Sequence, residues 1–271
     1  MGEGKYLKIA VESVAAAIFS MLLWQLVITM IIKAGVNIAA DGVIGNVSLE
    51  LMLMIIQLIV VKINIKDVRE YIGITYSRES SRQLLEGVGI GFLVILAIYV
   101  ISFVSGMVNY KGTGFKYYDS GLVLMGIGGL FVRMIFAGTC EEVVFRGVLC
   151  NSLMKYKGKV FALLVSSLIF ALFHGGRYND IIQLGSVFLT GLILGYLNIR
   201  TKSLYMGIGM HIATDFFINL VKPAGEVSLF VFEFNKYNLA SYEHILFVML
   251  AFMDILLLGY FLLYDKKHHK L

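Results

Sequence analysis

The chain is a succession of apolar stretches of about twenty residues, each long enough to cross roughly 30 Å of hydrocarbon as a helix. The stretches are Ala10–Ile32, Val43–Val61, Leu84–Val108, Leu122–Leu149, Val160–Phe173, Ile181–Leu197, Leu204–Val221 and Ile245–Tyr264, the fourth long and the fifth short. Inside a bilayer a backbone must satisfy its own polar groups, which leaves helices as the form such runs can take. The expected fold is therefore all-α, a polytopic transmembrane helical bundle of about eight spans. Composition agrees: charged residues make up only 15% of the chain and mean hydropathy is +0.83, whereas a soluble domain carries about a quarter charged residues. Residues 1–271 read as a single membrane-embedded domain with a motif-bearing core over 122–221.

Lysine and arginine set the orientation. One side of the membrane collects Lys5, Lys8, Lys62, Lys66, Arg69, Arg78, Arg82, Lys155, Lys157, Lys159, Arg200, Lys202, Lys266, Lys267 and Lys270. The other holds Lys33, Lys111, Lys116, Arg177, Lys222 and Lys236, while Arg133 and Arg146 fall within a span. The bias places both termini in the cytoplasm of a multi-pass cell-membrane protein. The net charge of +5 then answers an anionic inner leaflet, and the expected partner is the lipid bilayer, not nucleic acid.

The first apolar run is too long for a signal-peptide core and reads as a retained span. Tyr6 occupies the position where myristoylation needs Ser or Thr. Cys140 and Cys150, ten residues apart, form no disulfide or metal-knuckle spacing and read as small buried residues. The segment from Lys62 to Gln83 mixes charges with Ile, Val and Tyr and is expected to lie on the membrane surface. The outer loop from Lys222 to Glu243 carries no assignable role. Two Gly-x-x-x-Gly pairs, Gly87/Gly91 and Gly191/Gly195, permit close helix approach, although 28 glycines produce such pairs by chance.

Ionisable residues at membrane depth are costly and call for an explanation. The fourth run contains Glu141, Glu142 and Arg146 in CEEVVFRGVL, the fifth ends in Phe170-Ala-Leu-Phe-His174, and the seventh carries His211 and Asp215, four apart on one helix face. At about 1.5 Å per residue, Glu141 lies roughly 21 Å from Lys155, His174 roughly 22 Å from Lys159, and Asp215 roughly 20 Å from Lys202. His211 lies roughly 13 Å from Lys202 on the same scale. Three runs of alternating direction thus bring polar side chains to one level.

Such a cluster suits hydrolysis. A poorly solvated carboxylate can take a proton from water near neutral pH, a histidine can orient that water, and a second histidine with a donor can stabilise an oxyanion. Plainer roles compete. Glu142 and Arg146 can be a structural ion pair, Phe170 core packing, and Arg133 and Asp254 a second structural pair.

The three ordered motifs, E-E-x-x-x-R, F-x-x-x-H and H-x-x-x-(N or D), each on its own run, resemble the CPBP family of intramembrane proteases (CAAX proteases and bacteriocin-processing enzymes), which includes the type II CAAX prenyl endopeptidase. The resemblance covers roughly Leu122 to Asn219. It implies an intramembrane endopeptidase that hydrolyses a hydrophobic or lipidated peptide with a glutamate-activated water and no cofactor. Catalytic roles would fall to Glu141 as base, His174 in water activation, and His211 at the oxyanion, with Glu142 and Arg146 shaping the site. Asp215 stands where the prenyl proteases carry Asn. An ionised Asp cannot donate to an oxyanion, so Asp215 is expected to orient His211. Zinc held by Glu141, His174, His211 and Asp215 is the competing mechanism, although the tight H-E-x-x-H spacing is missing. A site opening toward the cytoplasm or inner leaflet is expected. The alternative functions are a non-catalytic scaffold or immunity protein of the same fold and a proton-coupled transporter. A prenylated C-terminus, a bacteriocin leader, a signalling-peptide precursor and a signal-peptide remnant all remain open as substrates.

Overall fold

A computed structural model describes residues 2–176, 178, 180–223, 227–234 and 239–268. Arg177, Lys236 and Lys270, counted above for orientation, and parts of the outer loop 222–243 lie outside them. The protein is helical throughout its apolar runs: α1 (Glu3–Lys33), α2 (Val43–Asn64), the short α3 (Val68–Ile72), α4 (Arg78–Val104), α5 (Ser120–Glu141), a π-helix (Glu142–Cys150), α6 (Asn151–Lys157), α7 (Lys159–Phe173), α8 (Ile181–Thr201), α9 (Tyr205–Asn219) and α10 (Leu239–Lys267).

Among the described residues, six helical stretches are long and apolar enough to cross a membrane: α1, α2, α4, the continuous stretch Ser120–Lys157, α8 and α10. This agrees approximately with the expected polytopic bundle of about eight spans; the runs Val160–Phe173 and Leu204–Val221 form the shorter α7 and α9, of 15 residues each, which reach about 22 Å. Val160, Leu164, Leu168 and Leu172 form an exposed apolar row along α7. The expected surface segment after Lys62 resolves differently: α2 continues to Asn64 and α4 begins at Arg78, leaving α3 between them. Gly73, in the left-handed conformation (φ 80°) that suits glycine, ends α3 and accepts the Leu204 N–H through its carbonyl.

One departure from an all-helical chain was not legible. Strands β1 (Val108–Thr113), β2 (Val221–Pro223) and β3 (Phe230–Phe234) form a small sheet in the order β1-β3-β2, antiparallel between β1 and β3 and parallel between β2 and β3. It joins the ends of α4 and α9, and its strands are too short to register against the helical pattern.

Glycine determines how tightly the site helices meet. A Cβ on Gly87 would fall 2.1 Å from the Met206 carbonyl oxygen, one on Gly91 2.6 Å from that of Met210, and one on Gly209 2.2 Å from that of Leu84. The backbones of α4 and α9 therefore touch directly, the close approach that small residues permit between membrane helices. Gly191 and Gly195 do the same for α8 against Ser167 and Leu163 of α7. Both Gly-x-x-x-Gly pairs are thus contact surfaces. Gly91→Leu is expected to force α4 off α9, destabilising the protein by about 1–3 kcal/mol or more and displacing His211. Thermal melting in detergent, alongside cleavage, would measure both effects.

Buried polar side chains are matched across the bundle. Ser13 on α1 donates to Gln57 Oε1 on α2 at 2.8 Å, and Gln57 Nε2 returns a bond to the Ser13 carbonyl at 2.7 Å. At the end of α8, Arg200 Nε donates to both Asp265 oxygens (3.0 and 2.8 Å), and Tyr196 Oη donates to Oδ2 at 2.7 Å.

Candidate active site

The π-helix is the local device that builds the site. Its backbone bonds span five residues, as where the Asn151 N–H reaches back to the Arg146 carbonyl. All nine of its side chains are buried. Wide π turns are rare and concentrate at functional sites. Here the π-helix begins at Glu142, directly after Glu141 closes α5, so the two adjacent glutamates sit on differently wound backbone and serve different surroundings.

Glu142 points into protein. It is fully buried and forms an ion pair with Arg146 at 2.9 Å. The Arg146 guanidinium lies over the Phe170 ring at 4.1 Å, and its Nη2 donates to the Gly191 carbonyl at 3.4 Å. Phe170 is 2% exposed and its ring also packs against Phe145 and His174, with centroids 5.1 and 4.6 Å apart. A cation on an aromatic face with a carboxylate beside it is a compact way to hold a charge away from water.

Glu141 points into a cavity instead. Its Oε2 lies 3.8 Å from Nε2 of His174 and 3.8 Å from Nε2 of His211, too far for hydrogen bonds and close enough for one water to touch all three atoms. This oxygen is secluded from solvent and has no hydrogen-bond partner within the protein. The Nδ1 atom of His174 is 2.9 Å from the Phe170 carbonyl, which can only accept, so Nδ1 carries the proton and Nε2 faces Glu141. His211 Nδ1 lies 3.1 Å from Glu142 Oε1, which likewise turns its Nε2 toward Glu141.

The structure therefore brings Glu141, Glu142, Arg146, Phe170, His174 and His211 into one cluster. Asp215 lies at its margin: Oδ2 is 3.7 Å from His211 Nε2, and its side chain is 40% exposed. The hydrogen bond that holds His211 comes from Glu142, not Asp215. Among the described residues, no group of three or more His, Cys, Asp or Glu is arranged to hold a metal ion.

The cavity has a volume of about 110 Å³. Its walls add residues that the motif reading passed over: Asn46 and Glu50 of α2, Arg133 of α5, Tyr178, Ser186 and Thr190 of α8, and Phe247 of α10. Glu50 is within electrostatic reach of Glu141, His211 and Arg133, and its Oε2 is secluded without a hydrogen-bond partner. The signal was present, since Glu50 is an acid inside an apolar run, but it belongs to none of the three motifs. Asp254, expected beside Arg133, accepts a 2.6 Å bond from Thr190 Oγ1. Tyr178 stacks on His174 with centroids 6.2 Å apart and meets Phe247 edge-on at 5.1 Å.

Among the described residues, six apolar membrane-length helices define a multi-pass membrane protein with acids and histidines buried in its interior. Residues 121–217, about a third of the chain, match the family model described as type II CAAX prenyl endopeptidase Rce1-like, and the match supports assignment to the CPBP family, a family of proteases. No curated protein matches the chain. The matched segment runs from the start of α5 to the end of the His211–Asp215 turn, so it includes every motif residue of the cluster.

Proposed function

We propose that the protein is an intramembrane endopeptidase in which Glu141 activates a water against the peptide carbonyl of a hydrophobic or lipidated substrate. The observation that carries this reading is the convergence of Glu141 Oε2 and the two Nε2 atoms at 3.8 Å on the wall of a cavity. Glu141 takes a proton from the water as it attacks the carbonyl, and the hydroxyl oxygen bonds to the carbon. His174 holds that water through Nε2. The carbonyl oxygen becomes an oxyanion and is met by His211, whose Nδ1–H is already given to Glu142. Only the imidazolium form of His211 has a second proton at Nε2 to donate. Glu142, paired with Arg146 at 2.9 Å, holds Nδ1 at 3.1 Å and so fixes the ring with Nε2 toward the reacting carbonyl. Glu141 then returns its proton to the departing amine, and the C–N bond breaks. Asp215, 3.7 Å from the same Nε2, stands at the margin of the oxyanion position.

The direct test is cleavage of a mixed library of lipidated and plain apolar peptides by the purified protein, with and without a chelator. Cleavage that chelator leaves untouched supports the glutamate mechanism. Cleavage lost to chelator and restored by zinc transfers Glu141 and the histidines to metal ligation. A folded protein that cuts nothing points to the scaffold reading.

A further inference from the structure

The two ends of the bundle differ in charge, and the cavity belongs to one of them. Contacts gather the basic residues physically: Lys155 lies over the rings of Tyr6 and Tyr71, Tyr71 bonds Ser152, Gly73 bonds Leu204, and Arg200 pairs with Asp265. The start of α1, the region around α3, the end of α8 and the end of α10 therefore share one end, where the lysine and arginine majority lies.

The cavity walls come from the opposite end. Asn46 is in the first turn of α2, Ser186 in the second turn of α8, His174 directly after α7, and Asp215 one turn before α9 ends. Every one of these helix ends points away from the basic end. Between the site and the basic end stands a plug of Ile72, Val148, Leu204 and Ile208, each 7% exposed or less. The cavity is closed toward the basic end and lined up to the other.

We infer that the cavity faces the side of the membrane opposite the cytoplasm, and that its substrate is a hydrophobic segment of an exported protein reaching the site from that side. This rests on the protease reading above. A membrane protein holds its lysine- and arginine-rich end in the cytoplasm, which sets the closed end there. A prenylated C-terminus made in the cytoplasm would arrive at the plugged end and meet no opening. The expectation was a site open to the cytoplasm or inner leaflet, and the placement of the cavity walls opposes it.

Two single-cysteine variants read the topology. Lys116, exposed beside the sheet, marks the cavity end, and Lys159, exposed at the start of α7, marks the basic end. Cys140 and Cys150 are 1% and 0% exposed, so the wild-type chain supplies the blank. In intact cells a membrane-impermeant maleimide should label Lys116→Cys and should reach Lys159→Cys only after permeabilisation. The reverse pattern overturns the inference. A quenched apolar peptide with a hydrophilic tail, added outside intact cells, should be cut by wild type and not by Glu141→Gln. Cutting confined to inverted vesicles overturns the inference. Labelling as expected with no cutting from either side removes the protease reading, and the substrate assignment with it.

Discussion

Glu141→Gln is expected to lower peptide cleavage by about a hundredfold to ten-thousandfold, the range that a positioned general base contributes, while the protein melts as wild type does. The expectation of unchanged stability comes from where the side chain stands. Oε2 makes no hydrogen bond to the protein and faces the cavity, so the isosteric amide removes the base without breaking a contact. A scaffold would keep its cellular phenotype in this variant, and a transporter would lose uptake without any peptide product appearing. His174→Ala should fall less far, because it removes the group that holds the water and leaves the base in place. Turnover on one defined peptide, with melting in detergent as control, separates these outcomes.

Arg146→Met carries the second large effect, and it acts on stability first. Arg146 is 1% exposed and Glu142 fully buried, so removing the cation leaves a carboxylate with only His211 to answer it. Breaking a buried pair from one side destabilises by about 3–5 kcal/mol. Adding Glu142→Gln removes the orphaned charge, and much of that loss should return, since a buried pair replaced on both sides is often neutral. Cleavage should not return with it. The amide can still accept from His211 Nδ1–H, but the carboxylate charge beside the ring is gone. Stability rescued without activity would show that the pair serves the chemistry through His211. Rescue of both would leave it a purely structural pair. Melting temperatures and turnover of the two single variants and the double variant complete the cycle.

The residues brought together were legible because each obeys one rule, that an ionisable group in an apolar run has a reason to be there. Depths from the flanking lysines placed Glu141, His174 and Asp215 near one level with His211 about one turn short of it, and the structure brings Glu141, His174 and His211 together. The same rule applied to α2 would have found Glu50. Geometry finer than depth was beyond it. Which carboxylate grips His211 depends on the winding of the backbone after Glu141, and a π turn leaves no mark in hydropathy. The shortness of α7 was legible in its run of apolar residues, whereas α9 stops at Asn219 because the chain turns into β2 there, which an apolar run does not record. The sheet of β1, β2 and β3 pairs segments more than a hundred residues apart in sequence, which no local pattern records.

A helix that changes pitch partway carries one residue more than its straight counterpart would need between the same two ends. Deleting a single residue from Val143–Phe145 would let the stretch from Ser120 to Lys157 relax toward a uniform α-helix of nearly the same reach, still able to anchor in lipid. The wide turn would absorb the loss, so the residues beyond it would keep their facing, and the change would fall on the turn itself, where Glu142 and Arg146 would stand three apart instead of four. The same deletion in a uniform α-helix would turn everything beyond it by about 100°. In a gene lineage such a stretch can gain or lose a residue beside the cavity with the membrane-spanning architecture inherited intact on either side of the event.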